Sequence, residues 1–172
     1  MNKAFTKEDE TNEPAVVPAR APLPAGTPNY VTARGLQKLK AELRDLDHER
    51  ARLDETAPER DRARALAALT ARKSALEDRI ASATLVEAPH ARDEVRFGAR
   101  VEVETATGAS RVYQLVGVDE ADPATGLVAF VSPIARALLG RQVGDSVSVK
   151  TPRGEEELEI TRIEYDDPLD AP

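Results

Sequence analysis

The composition of this 172-residue chain excludes several classes of protein. It contains no cysteine, which excludes disulfides, a thiolate nucleophile and a cysteine-type zinc site, and its only histidines, His48 and His90, are too far apart in sequence for a histidine-rich metal site. No segment approaches the roughly 20 apolar residues of a membrane span, and residues 1–13 lack the apolar run of a secretory signal. We expect a cytoplasmic protein with no membrane segment and no metal site of its own.

The net charge of −7 is concentrated in the C-terminal half. Residues 87–172 carry 9 basic and 17 acidic side chains, whereas residues 32–86 carry 12 basic and 10 acidic ones. A free-standing nucleic-acid binder normally shows a strong basic surplus on its binding face, and this chain does not. The expected partner is therefore a protein, with a basic surface that faces the C-terminal domain.

Residues 1–29 are predicted to form a disordered tail, because they hold five of the 12 prolines and almost no aliphatic periodicity. Residues 30–86 carry a heptad pattern typical of a coiled-coil seam. Every facing pair adds to 119 in residue number, from Leu36 with Ala83 to Leu53 with Leu66, which predicts an antiparallel two-helix hairpin in register. The predicted seam consists of Leu36, Leu39, Leu43, Leu46, Arg50 and Leu53 opposite Leu66, Leu69, Lys73, Leu76, Ile80 and Ala83.

The ends of the two helices also have sequence signals. Thr32 is the predicted N-cap of the first helix, which is expected to end near Asp54. Pro58 suits the first turn of the second helix, where Thr56 and Glu59 have capping-box spacing. The second helix is expected to continue to about Val86.

From residue 96 onward the apolar period changes to two, which predicts β-strands. Strands are expected around residues 101–103, 112–118, 127–131, 147–149 and 158–163. Between them Ser132 is placed to cap a short helix, with Pro133 at its first position and Gly140 as its stop. The predicted fold class is α+β, with a coiled-coil hairpin over residues 30–86 and a small antiparallel β domain with one short helix over residues 87–172.

Two segments resemble the bacterial transcript-cleavage factors GreA and GreB. Residues 131–165 follow the family's order of a serine-proline pair, a small helix, glycine-aspartate, threonine-proline-x-glycine and a terminal glutamate-tyrosine. Residues 30–39 resemble the family's opening, where a threonine and a glycine start the coiled coil. The chain is similar to the family over roughly residues 30–165, except in the middle.

The resemblance implies a fold and a function. The C-terminal domain is expected to be FKBP-like and to bind bacterial RNA polymerase at the rim of its secondary channel, while the coiled coil enters the channel. In the family, two acidic side chains at the tip help hold a second magnesium ion, and the polymerase itself cuts backtracked RNA. The expected protein is a monomeric accessory factor near the nascent RNA 3′ end and the DNA, is not an enzyme by itself, and uses only the polymerase's Mg²⁺ if cleavage is stimulated.

The hairpin tip departs from the family. Its glycine-aspartate-leucine-serine-glutamate-asparagine-alanine motif is absent, and each arm is shorter by about seven residues, or about 10 Å of helix. Asp54 and Glu55 are the candidate catalytic acids. Acids at the C-terminal end of a helix interact unfavourably with its dipole, so helix stability does not explain their presence there. The alternative is two solvated acids at a turn. Candidate contacts to RNA or to the channel are Arg50, Arg52, Arg60, Arg62 and Arg64, which alternatively pair with neighbouring acids.

Other candidate contacts lie in the C-terminal domain. The family's polymerase-binding loop matches Ser132, Pro133, Ile134 and Ala135, which a capped helix start would also explain. Asp119 and Glu120 are expected to be solvated loop acids or acidic contacts. Three functions stay open: a channel-binding elongation factor, a non-cleaving channel occupant that inhibits transcription or competes with cleavage factors, and a prolyl isomerase, disfavoured by the few aromatic residues.

Overall fold

The structure consists of a helical hairpin and a sheet domain, each with its own hydrophobic core. The computed structural model describes residues 20, 22–56, 58–151 and 154–166, without the side chains of residues 54–56 and 60. Most of the predicted tail, residues 1–19 and 21, lies outside the described residues.

The hairpin begins with a two-residue strand, β1 (Tyr30–Val31), followed by α1 (Ala33–Thr56) and α2 (Glu59–Ala81). Thr32 caps α1 as predicted, since its Oγ1 accepts a hydrogen bond from the Gly35 N–H at 3.0 Å. The predicted capping box at the start of α2 was wrong. Pro58 is itself the N-cap, and Thr56 still belongs to α1.

The predicted seam is confirmed over most of its length, but its member Arg50 is exposed. Four of its leucines, Leu39, Leu46, Leu69 and Leu76, are at most 5% exposed, and five further seam residues pack against them. Lys73 lies beside Asp47, with 2.5 Å between its Nζ and Oδ1, close to the facing position that the constant residue sum gives it. The polar seam residue therefore joins the two helices by an ion pair at their middle.

The second helix ends five residues before the predicted position. Thr84–Leu85 form a strand, β2, that pairs in parallel with β1. The Thr84 N–H donates to the Asn29 carbonyl at 2.8 Å and the Val86 N–H to the Val31 carbonyl at 3.1 Å. These hydrogen bonds replace those of another helical turn, because the segment after α2 pairs with the segment that precedes α1.

The C-terminal domain is a five-stranded sheet in the order β5-β4-β3-β7-β6. Its elements are β3 (Ala99–Thr105), β4 (Ser110–Val116), β5 (Leu127–Ala129), α3 (Pro133–Leu138), β6 (Ser146–Thr151) and β7 (Gly154–Tyr165). The α+β class is confirmed, with one correction: β5 pairs in parallel with β4, so the sheet is mixed. A parallel pair requires a crossover, and two 3-10 turns at Val118–Glu120 and Pro123–Thr125 supply it.

Tyr165 closes the core of the sheet domain at the end of β7. Its side chain is 7% exposed, and its hydroxyl donates to the Glu94 carbonyl at 2.5 Å and accepts from the Arg96 N–H at 2.9 Å. Burial raises the pKa of the Tyr165 hydroxyl, and the hydrogen bond from Arg96 lowers it by less. The terminal tyrosine thus ties β7 to the segment that leads into β3.

The first prediction concerns the two separate cores. Leu76→Ala removes a side chain that is 1% exposed and should lower hairpin stability by about 2–5 kcal/mol through lost burial and a cavity. Native-state hydrogen exchange should then accelerate in α1 and α2 and stay unchanged in β3 and β7. Leu85→Ala, at a leucine 46% exposed, is the control and should change neither. Equal acceleration in both units would show that they share one cooperative core.

The second prediction concerns Tyr165. Tyr165→Phe leaves the Arg96 N–H and the Glu94 carbonyl without this partner and should reduce the free energy of unfolding by about 1–2 kcal/mol in urea titrations at pH 7. Since the pKa is raised on folding, the native contribution is present below pH about 10 and is lost as pH rises through the folded pKa. Wild-type stability should therefore fall more steeply above pH 10 than that of the variant. Parallel curves would contradict this role.

Candidate functional site

The distal end of the hairpin carries the candidate tip acids. The backbone of Asp54 and Glu55 forms part of the last turn of α1, which contains no basic residue. Their side chains lie outside the described residues, so their geometry stays a prediction. Glu59 and Asp61 occupy the first turn of α2, where acids complement the helix dipole.

The candidate arginines are distributed over both arms near this end. Arg50, Arg52 and Arg64 are exposed and Arg62 is half-buried, while the Arg60 side chain is outside the described part of the chain. They share the distal third of the hairpin, beyond the ion pair of Lys73 with Asp47. A contact of these arginines with RNA or with the channel stays a prediction.

The short helix α3 has the ends that its sequence predicts. Ser132 Oγ accepts from the Ala135 N–H at 3.3 Å, Pro133 takes the first turn, and Gly140 follows with φ of 77°. Of the four residues proposed to bind a partner, Pro133 is exposed and Ser132 and Ile134 are half-buried. Ala135 is fully buried in the sheet core, so it can only position the others.

The expectation for Glu120 was wrong. This glutamate is 6% exposed and faces the root of the hairpin. Its Oε1 accepts from the Thr32 N–H at 3.0 Å and the Gly117 N–H at 3.3 Å, and its Oε2 accepts from the Thr32 hydroxyl at 2.5 Å. A buried carboxylate is stable when its lone pairs are satisfied in this way, and this one also lies at the positive end of α1.

Asp119 is also not a solvated loop acid. Its side chain is 9% exposed, and its Oδ1 accepts from Arg20 Nη1 at 2.5 Å. Its Oδ2 lies 3.5 Å from Nη1 of Arg79, which belongs to α2 and is 7% exposed. Both neighbouring acids therefore hold the hairpin and the sheet domain together.

Three aromatic rings fill the same junction. Tyr30 of β1 packs against Phe97 and Phe130 of the sheet domain, with ring centroids 5.8 and 5.5 Å apart, and the two phenylalanines are 5.6 Å apart. Phe97 and Phe130 are two of the four aromatic residues of residues 87–172. Their contacts with the hairpin argue against a prolyl-isomerase pocket walled by these rings.

Neither metal ligation nor membrane insertion gains support from the described residues. Within them, no three His, Asp or Glu side chains gather closely enough to hold a metal ion. In the same part of the chain, none of the helices has the length and apolar character that crossing a membrane requires.

Comparison with known proteins decides the family. The model described as "Transcription elongation factor, GreA/GreB, C-term" matches residues 89–165. The transcription elongation factor GreA of Alkalilimnicola ehrlichii is 38% identical over 152 aligned positions, which span 78% of this chain and 96% of that protein. The chain belongs to the GreA/GreB family.

Other members of the GreA/GreB family are similar to a comparable extent. GreB of Neisseria meningitidis is 35% identical over 155 positions, covering 81% of this chain and 95% of the relative. Among solved structures, GreA factor homolog 1 of Thermus thermophilus is 26% identical with a TM-score of 0.40, covering 80% of this chain and 99% of that one.

Sequence analysis missed the junction between hairpin and sheet domain. Its residues lie far apart in sequence, 88 positions in the case of Thr32 and Glu120. One signal was available: the threonine and glycine of the family's opening, Thr32 and Gly35, bracket the site that receives the carboxylate. Without the tertiary structure, nothing connected that pair to an acid after β4.

Proposed function

We propose that this protein binds bacterial RNA polymerase at the rim of the secondary channel and modulates elongation by paused or backtracked complexes. The observation that carries the proposal is membership of the GreA/GreB family over nearly the whole length of a relative. A two-helix hairpin that projects from a separate docking domain suits a probe that enters a narrow channel. The protein acts as a monomer and as an accessory of the polymerase, without a cofactor of its own.

The length of the hairpin favours regulation by occupancy of the channel. α1 has 24 residues and is therefore about 36 Å long. The alignment with GreA of A. ehrlichii has 152 positions but uses 78% of 172 residues, about 134, so about 18 positions of the alignment lack a counterpart here. A shortening of about seven residues per arm, which the resemblance implies, would account for about 14 of these positions and would remove about 10 Å of reach.

That deficit bears on metal binding at the tip. A carboxylate oxygen contacts Mg²⁺ at about 2.0–2.1 Å, and side-chain rotation cannot replace 10 Å of helix. We therefore favour a factor that occupies the channel, changes the behaviour of the stalled complex and competes with longer-armed relatives. Arg50, Arg52, Arg60, Arg62 and Arg64 would then contact acidic groups of the channel or the RNA 3′ end, close to the DNA of the elongation complex.

Stimulated RNA cleavage is the second candidate function. It is favoured by Asp54 and Glu55, which occupy the last turn of α1 although acids there oppose the helix dipole. For these acids to assist the polymerase's Mg²⁺, the sheet domain would have to dock deeper in the channel rim. The polymerase would still perform the reaction.

The third prediction tests docking through the start of α3. The double variant Ser132→Glu, Pro133→Ala adds bulk and charge at the exposed start of α3 and should weaken binding to core polymerase at least tenfold, about 1.4 kcal/mol. Ser146→Glu, which adds the same charge at an exposed serine of β6, is the matched control and should change affinity less than about threefold. Unchanged affinity of the double variant would place the contact elsewhere.

The fourth prediction separates the two mechanisms. A purified backtracked elongation complex with the protein bound should show altered RNA extension and no RNA shortening, because the tip falls short of the catalytic metal. RNA shortening that Asp54→Ala with Glu55→Ala abolishes, and that Asp45→Ala on the exposed side of α1 preserves, would instead establish cleavage stimulation. Binding measured in the same sample excludes loss of docking as the cause.

A further inference from the structure

We propose that Glu120, with Asp119, is a positioning residue that fixes the direction of the hairpin relative to the sheet domain. The inference rests on the proposed function, because a hairpin that enters a channel must point in one direction from its docking domain. The two acids, together with Thr32, Gly35, Arg20 and Arg79, are called the clasp below.

Glu120 completes the N-terminus of α1 from another domain. Thr32 accepts from the Gly35 N–H within its own helix, and its hydroxyl and N–H both donate to Glu120. The first turn of α1, its cap and the carboxylate are thus one connected network. Since these bonds have defined directions, the carboxylate fixes both the position and the orientation of the helix start.

Two glycines, one in each unit, permit this close approach. A Cβ on Gly35 would lie 2.0 Å from the Glu120 carboxyl carbon, and a Cβ on Gly117 would lie 2.5 Å from the Tyr30 carbonyl oxygen. Gly35 is in a helix, where alanine is favoured over glycine, so helix formation does not explain its presence. The space it leaves is the space that the Glu120 carboxylate fills.

Asp119 adds a second point of attachment. It contacts Arg79 of α2 and Arg20 of the segment before the hairpin, while Arg20 also pairs with Glu42 of α1. Arg20 therefore bridges the first helix and the sheet domain, and Asp119 bridges the sheet domain and the second helix. Attachment at both helices opposes rotation about either one alone.

The hairpin acts as a lever on this junction. At a length of about 36 Å, a tilt of 10° at the root displaces the far end of α1 by about 6 Å. Such a displacement exceeds the tolerance of a contact with a metal or a phosphate, which is a few tenths of an ångström to about 1 Å. The contacts of the clasp therefore determine the position of the hairpin tip relative to the sheet domain.

The fifth prediction uses a substitution that favours the helix and opposes the clasp. Gly35→Ala should displace the Glu120 side chain, which is flexible, and leave both folded units intact. Because the chain has no cysteine, Ala67→Cys on α2 and Ser146→Cys on β6 provide two exposed sites for spin labels. Pulsed electron paramagnetic resonance on the doubly labelled protein should give a narrow distribution of distances between the two labels, which Gly35→Ala and Glu120→Gln should broaden or shift.

Glu159→Gln is the matched control for Glu120→Gln. It neutralises an exposed acid of β7 and should leave the distance distribution as in the parent protein. Arg20→Ala should broaden the distribution less than Glu120→Gln, because it removes one attachment and leaves the capping network of α1 in place. An unchanged distribution in both Gly35→Ala and Glu120→Gln would overturn the clasp.

Polymerase assays then test the consequence. Gly35→Ala should bind core polymerase within about threefold of wild type, because the cap and the exposed residue at the start of α3 are unchanged in this variant. It should lose at least about fivefold of the effect on RNA extension or cleavage, since the tip is misplaced. A broadened distribution with a wild-type effect would overturn the positioning role. Wild-type protein that does not bind polymerase would overturn the proposed function instead, and the distances in the free protein would still decide whether the clasp fixes the hairpin.

Discussion

The arrangement of this protein depends on one buried carboxylate. Glu120 accepts three hydrogen bonds at the place where the hairpin meets the sheet domain, two of them from the threonine that starts α1. Burying a charge is costly unless donors replace its water, and here the donors belong to both units. The carboxylate therefore receives all three hydrogen bonds only when the two units are in contact. Separating or rotating the units would leave it without donors from the hairpin.

The hairpin itself depends on a narrow set of contacts. Its core is a narrow stripe made mostly of leucines, and beside it Lys73 pairs with Asp47 near the middle of the hairpin. Beyond that ion pair the seam continues with two facing pairs, Arg50 with Leu69 and Leu53 with Leu66. In the first of these pairs, Leu69 is buried but Arg50 is exposed. Stabilising contacts are thus concentrated near the root, where the parallel pair β1–β2, the aromatic rings and the clasp also lie. The hairpin is therefore anchored at its base, and exposed arginines lie towards its far end.

Two parts of the surface of the sheet domain bear on the proposed function. The turn after β4 holds the hairpin through Asp119 and Glu120, while the start of α3 presents Pro133 to the solvent. Ala135 and Leu138 anchor α3 in the core, so the helix is a rigid support for whatever contacts Pro133. Under the proposed function, the docking contact and the attachment of the hairpin would lie on the same folded unit, so that docking at the start of α3 would also set the direction of the hairpin.

Sequence alone determined the elements whose signals are local. The heptad pattern predicted the hairpin and its register, because side chains three and four apart share a helix face whatever surrounds them. Ser132, Pro133 and Gly140 predicted α3 because caps act within one turn. The tertiary structure decided what depends on distant partners: the early end of α2 at Ala81, the parallel pairing of β5 and the burial of Asp119 and Glu120. The local sequence around an acidic residue that follows a strand is the same whether its carboxylate is hydrated by water or bound at the N-terminus of a distant helix. Only the folded chain brings the Thr32 N–H within 3.0 Å of the Glu120 carboxylate.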